Sequence, residues 1–129
     1  MKWFKRPLKA PLGTIATSDP KIDVEADARV LAKIRNMCAV ATASAESVAQ
    51  SQYGDLAKGE KQRFESAKRM SLELAKNIAD VSCRDTALQH IVELCMKAND
   101  IKTARVLVRG IQTGMIREKL LEEYPVAFY

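Results

Sequence analysis

The sequence predicts an all-α protein, four to five helices packed as antiparallel hairpins, and three observations carry that expectation. After residue 20, apolar side chains recur at steps of three and four, which gathers them on one side of a 3.6-residue helix. Turn-forming residues are scarce, with five glycines and four prolines in 129 residues, whereas a fold of many short strands needs a turn about every ten residues. Capping residues fall between the periodic stretches, where helices would stop and start. One domain is the expectation at this length, able to bury roughly two-thirds of the surface of its unfolded chain. No apolar run approaches the roughly 20 residues of a membrane span.

Residues 1–19 hold Pro7, Pro11 and Gly13 and no sustained apolar period, so they read as a basic extended arm. Ser18-Asp19-Pro20 then has the form of a helix start, and residues 20–125 are expected to make a single helical domain with a short tail at 126–129. The first helix, to about Ser51, should face its core with Val24, Ala28, Leu31, Ile34, Cys38, Ala41, Ala45 and Val48. That face is alanine-rich, which lets a second helix approach closely. Gly54 and Asp55 read as a stop and a new cap. The second helix, about 56–80, carries Phe64, Ala67, Ser71, Leu74, Ile78 and Val81 on one stripe, with Gly59 expected to fray or bend its beginning. Ser82-Cys83-Arg84-Asp85 has the form of a capping box, opening a third helix that runs to about residue 98 with Ala87, Leu88, Ile91, Leu94 and Cys95 inward. Asn99 suits a left-handed turn and Asp100 a cap for a fourth helix built on Ile101, Ala104, Leu107, Val108 and Ile111. Met115, Ile116, Leu120, Leu121 and Tyr124 support a short fifth helix that Pro125 ends.

A shift of 33 residues sets Ile78, Arg84, Asp85 and Leu88 over Ile111, Arg117, Glu118 and Leu121, so one helix-pair unit is expected to recur. The stretch Arg84-Asp85-Thr86-Ala87-Leu88, Ile91, Asn99-Asp100, Ala104-Arg105 and Ile111 resembles the helical hairpins of tetratricopeptide-like repeat proteins over residues 84–121. The resemblance implies that Ala87 packs between paired helices, that Asn99-Asp100 joins them and that Ala104 lets the second approach. The fold is therefore expected to be either a tetratricopeptide-like stack or an irregular bundle.

The sequence carries no recognisable catalytic signature. Its one histidine, His90, lies among apolar neighbours, the glycines are isolated, and HExxH and CxxC are absent. Cys38, Cys83 and Cys95 sit in apolar surroundings and read as reduced, core-facing thiols of a cytoplasmic protein; Cys83, His90 and Cys95 match no usual zinc spacing. Neither an enzymatic activity nor a cofactor or metal is expected, and a small helical enzyme is the third reading. Of the formal charge of +5, +4 lies in residues 1–21, in Lys2, Lys5, Arg6, Lys9 and Lys21 against Asp19. The leading expectation is a protein–protein interaction module, an adaptor, scaffold or regulatory subunit, or a self-associating chain. Its candidate contacts are Trp3, Phe4, Lys5 and Arg6 in the arm and Arg84, Arg105, Arg109 and Arg117 in the helices. The alternative is nucleic-acid or anionic membrane-surface binding through the arm, where aromatics stand beside cations.

Overall fold

The computed structural model describes residues 23–50 and 55–128, and the helices in it are α1 (Val24–Gln50), α2 (Asp55–Ala75), α3 (Val81–Lys97), α4 (Ile101–Gly110) and α5 (Gly114–Glu123), followed by a 3₁₀ turn at Pro125–Phe128. Among the described residues there is no strand, so the fold is an all-α bundle. The long α1 packs chiefly on α2 and α3; α3 also receives α4, α5 and part of α2, and the final turn lies against α4 and α5. α3 is thus the middle of the molecule, with Ala87, Ile91, Val92, Leu94 and Cys95 all buried. Around them sit Ile34, Cys38 and Ala45 of α1, Phe64 and Ala75 of α2, Ala104 and Val108 of α4 and Leu120 of α5. The buried alanines let the helix axes close up, as the alanine-rich face of α1 leads one to expect.

Loop chemistry fixes how the helices follow one another. At the end of α3, Asn99 takes φ 62, the left-handed conformation that asparagine tolerates better than most residues. The Asn99 N–H donates to the Met96 carbonyl (3.0 Å) and the Asp100 N–H to that of Cys95 (2.8 Å), a Schellman closure. Asp100 then caps α4, its carboxylate accepting from the Thr103 N–H at 3.2 Å. Its other oxygen takes the Lys68 ammonium at 2.7 Å, which ties α2 to the start of α4. Lys68 is shared with Glu65 at 2.8 Å and lies 5.0 Å from the centre of the Phe64 ring.

Two buried aspartates do a second kind of work. Asp27 of α1 accepts from the backbone N–H groups of Ala79 (3.2 Å) and Asp80 (3.0 Å), holding the approach to α3. Asp85 of α3 accepts from the N–H groups of Gln112 (3.0 Å) and Thr113 (2.7 Å) and from the Thr113 hydroxyl (2.7 Å), holding the approach to α5. The donors are 33 residues apart, and the Ile just before each pair, Ile78 or Ile111, is buried. Both carboxylates thus satisfy N–H groups at the start of the helix two elements further on.

Several expectations are corrected here. Asp80, not Ser82, caps α3, accepting from the Cys83 N–H at 2.9 Å, because Ser82 already lies inside the helix; Asp85 faces the 111–113 loop instead of reaching back. α2 ends at Ala75, so Ile78 belongs to the loop and Val81 opens α3 on its exposed side. The helix runs unbroken through Gly59. Val24, Ala28 and Met115 face solvent, since helix ends project past the neighbours that would cover them. The Ser18-Asp19-Pro20 cap and Gly54 lie outside the described residues.

The Lys68–Asp100 bridge gives a testable pH signature. Burial opposes both charges, but the hydrogen bonds from Lys68 and Thr103 outweigh it and hold the Asp100 carboxyl below its ordinary range. Burial likewise acts against the Lys68 ammonium, yet its bonds to Asp100 and Glu65 carry it above its ordinary value. A depressed carboxyl contributes stability that is full above its unfolded pKa, about 4, and is lost as pH falls through the folded value. A raised lysine contributes below its unfolded pKa, about 10.4, and loses that contribution as pH rises through the folded value. Asp100→Asn keeps a capping oxygen but removes the charge, so it is expected to cost roughly 1–2 kcal/mol. The gap from the parent should stay level between about pH 5 and 10 and close towards both extremes, as read from urea midpoints across pH.

Candidate partner-binding groove

Clefts between the described helices differ in chemistry. One of about 780 Å³ runs between α1 and α2 and is lined by Asn36, Met37, Val40, Ala41 and Ser44 on one side and Gly59, Gln62, Arg63, Ser66, Ala67 and Met70 on the other. The lining combines small side chains, Ala41, Ser44, Gly59, Ser66 and Ala67, with the longer apolar Met37, Val40 and Met70. Val40 is 82% exposed and Met70 51%. Arg63 is the charged group in the lining, and it is already paired with Glu60. The groove is therefore lined mainly by apolar and small side chains with a few polar groups, a lining that suits an apolar or aromatic side chain.

Two residues along an α-helix are about 200° of rotation, which gives each of these helices two working sides. Val40 and Met37 line the groove, while Thr42 and Arg35 line a pocket shared with α3; Met70 lines the groove, while Lys68 and Leu72 line a cleft also shared with α3. The groove thus lies on the side of the α1–α2 pair that turns away from the rest of the bundle.

Gly59 is informative in this setting. It sits inside α2, where glycine costs about 1 kcal/mol relative to alanine, yet a β-carbon built on it meets nothing within 4 Å. Packing among the described residues does not require it. Gly59→Ala is accordingly expected to raise stability by about 0.5–1 kcal/mol in chemical denaturation, while narrowing the groove.

The pocket between α1 and α3, about 220 Å³, gathers Arg35, Cys38, Thr42, His90, Glu93 and Lys97. It brings a thiol and an imidazole to one place, but their acidities run against nucleophilic chemistry. Burial pushes the Cys38 thiol up despite its contact with the Ser71 hydroxyl (4.0 Å), so it stays protonated. Burial, with Arg35 and Lys119 nearby, pushes His90 down and keeps it neutral, and its approach to Glu93 is a long 3.8 Å. Cys95, buried, is pushed up to about 12. Among the described residues no three of His, Cys, Asp and Glu gather as a metal site would need, and no helix is long and apolar enough to cross a membrane.

The arginines singled out from the sequence do not converge on one of these clefts. Arg84 lines the α2–α3 cleft of about 400 Å³, beside Leu88, Glu65, Lys76 and Glu73. Arg105 and Arg109 share a side of α4, four residues apart, with Arg109 in its last turn; Arg117 is exposed in the first half of α5. Trp3, Phe4, Lys5 and Arg6 lie outside the described residues. The groove residues Met37, Val40, Gly59 and Met70 were not among the expected contacts. Their signal is an apolar pair on α1, Met37 and Val40, displaced from the core stripe, and a glycine in the second turn of α2.

No protein-family model, curated protein or solved structure matches this chain.

Proposed function

We propose that the chain is a small protein–protein interaction module, an adaptor, scaffold or regulatory subunit without catalytic activity, and that it takes an apolar segment of its partner in the α1–α2 groove. The observation that carries this reading is the groove itself. Two exposed apolar side chains, Val40 and Met70, line it from opposite helices together with alanine, serine and glycine. Single exposed apolar residues are ordinary, but a pair facing across a cleft makes a contiguous apolar patch.

A tetratricopeptide-like stack of helix pairs agrees with this reading. The Asp27 and Asp85 clasps recur at donors 33 residues apart, as the sequence echo does, and a stack presents an end face beyond its last pair. Three free cysteines suit the reducing cytoplasm. Arg84, Arg105, Arg109 and Arg117 lie away from the groove, on α3, α4 and α5, and in this reading serve as charged contacts on a separate face.

The competing reading, nucleic acid or an anionic membrane on the basic arm, rests on the charge of residues 1–21. The two separate in affinity capture from the native extract, with nuclease treatment and low- and high-salt washes, using the parent chain and the variant Val40→Lys/Met70→Lys. A stoichiometric protein that survives both treatments on the parent and is lost on the variant supports the module. Nucleic acid or lipid alone, lost at high salt and equal on both chains, overturns it, because phosphate contacts weaken steeply with salt whereas apolar burial does not.

A further inference from the structure

The face that holds the groove can meet its own copy. We propose that the α1–α2 faces of two chains pack on each other about a two-fold axis, so that the partner of the groove is a second copy of this chain; this rests on the reading of the groove as a site for an apolar segment. An isologous contact requires one face to carry both what protrudes and what receives it. This face carries both. Val40 and Met70 are 82% and 51% exposed on it, and the groove between their helices, about 780 Å³, has room beside Gly59, where a β-carbon meets nothing within 4 Å. A helix-interior glycine against which no described residue packs is accounted for when a second helix crosses close to the α2 backbone.

Charge permits the pairing. Identical faces bring identical charges together, so a face with a net charge repels its own copy. Arg63, the charged residue of the lining, is paired with Glu60. On α1 the exposed positions before Asn36 include Glu25, Arg29, Lys33 and Arg35. From Asn36 to Gln50 the one charged residue is Glu46, and Ala39, Val40, Ala43 and Ala49 are exposed. A solvated helix face is ordinarily charged, whereas the centre of an interface is depleted of charge. Area permits the pairing too. α2 is 21 residues long, about 31 Å, and two helices roughly 8–10 Å apart present a face about 20 Å wide. Two such faces cover on the order of 1,200 Å², the lower end of specific interfaces, so the dimer is reversible and in the micromolar range. It leaves α3, α4 and α5 outside the contact, and the arginines on them are presented twice to any further partner.

Sedimentation velocity of the full chain, from low micromolar to near-millimolar concentration, tests the proposal. The expected result is a shift from one chain to two that stops at two. In Val40→Lys/Met70→Lys, whose folding is checked by circular dichroism, the dissociation constant should rise on the order of 100-fold or more, because the axis counts each substitution twice. Val106→Lys changes an exposed apolar residue of α4, away from the groove, and should leave the dimer unchanged. A second measurement uses methionine oxidation by hydrogen peroxide. Met70 should oxidise several-fold more slowly where the dimer prevails than well below that concentration, while Met115, 82% exposed on α5, oxidises at one rate throughout. A parent that stays a monomer, or Met70 oxidation indifferent to concentration, overturns the proposal. So does self-association that survives Val40→Lys/Met70→Lys, that is lost in Val106→Lys, or that grows past two chains. If the parent is a monomer while capture from the native extract returns a different protein that the groove variant loses, this inference falls and the interaction module stands; if capture is also indifferent, both fall.

Discussion

Asp85→Ala is expected to cost roughly 3–5 kcal/mol in chemical unfolding followed by circular dichroism, a large part of the 5–15 kcal/mol that holds an ordinary domain together. The side chain is fully buried and receives three donors on one oxygen: the N–H groups of Gln112 and Thr113 and the Thr113 hydroxyl. Removing it empties a fully buried position and unpairs three part-buried donors, and each unpaired group costs about 1–3 kcal/mol to the extent that it is shielded from water. Asp85→Asn separates charge from geometry. Its carbonyl can replace Oδ2, but its amide then occupies the position of Oδ1, which is buried and has no protein partner, so a loss of about 2–3 kcal/mol is expected. Thr113→Val deletes one donor, leaves the two N–H bonds, and should cost only about 1 kcal/mol. Asp27→Asn affects two donors at a slightly more accessible carboxylate and should fall between these. If Asp85→Ala lost less than about 1 kcal/mol, burial of Ile111 and Leu120 would be enough to hold α5 in place.

The helical core was legible because it is periodic. Ile34, Cys38, Ala41 and Ala45 on α1, and Ala87, Ile91, Leu94 and Cys95 on α3, fall at the expected spacing and are buried. Asn99 and Asp100 were legible for a different reason. Their short polar side chains favour one turn and one cap, and both are formed by local contacts. Asp85 was misread because its local surroundings mimic a capping box, while its partners lie 27 and 28 residues away. No local pattern encodes such a clasp. The 33-residue echo marked both of the loops involved, without indicating that a buried carboxylate closes each. The groove was missed on related grounds. Met37, Val40 and Met70 resemble ordinary helix residues in one dimension, and they form a site only once α1 and α2 lie side by side.

Charge substitutions in the groove provide the sharpest separation between the forces that could drive binding there. Lysine and glutamate have helix propensities close to that of methionine and better than valine, and Val40 and Met70 are mostly exposed. Val40→Lys/Met70→Lys and Val40→Glu/Met70→Glu should therefore both leave unfolding midpoints within about 0.5 kcal/mol of the parent. Their effect on a partner is expected to be much larger. Each pair removes two apolar anchors and sets two charges where a bound segment would strip their water, so the captured partner should bind on the order of 100-fold more weakly, about 2.7 kcal/mol. The sign comparison matters more than either loss. Apolar burial predicts that both pairs fail alike, because a desolvated ammonium and a desolvated carboxylate are both penalised. Electrostatic attraction predicts that one pair fails and the other binds as well as the parent or better, with a steep dependence on salt. Equilibrium titration of the captured partner against the three chains, at low and high salt, decides between them. Equal failure places the binding energy in the apolar groove, and opposite behaviour places it in the charges of the basic arm or the helical arginines.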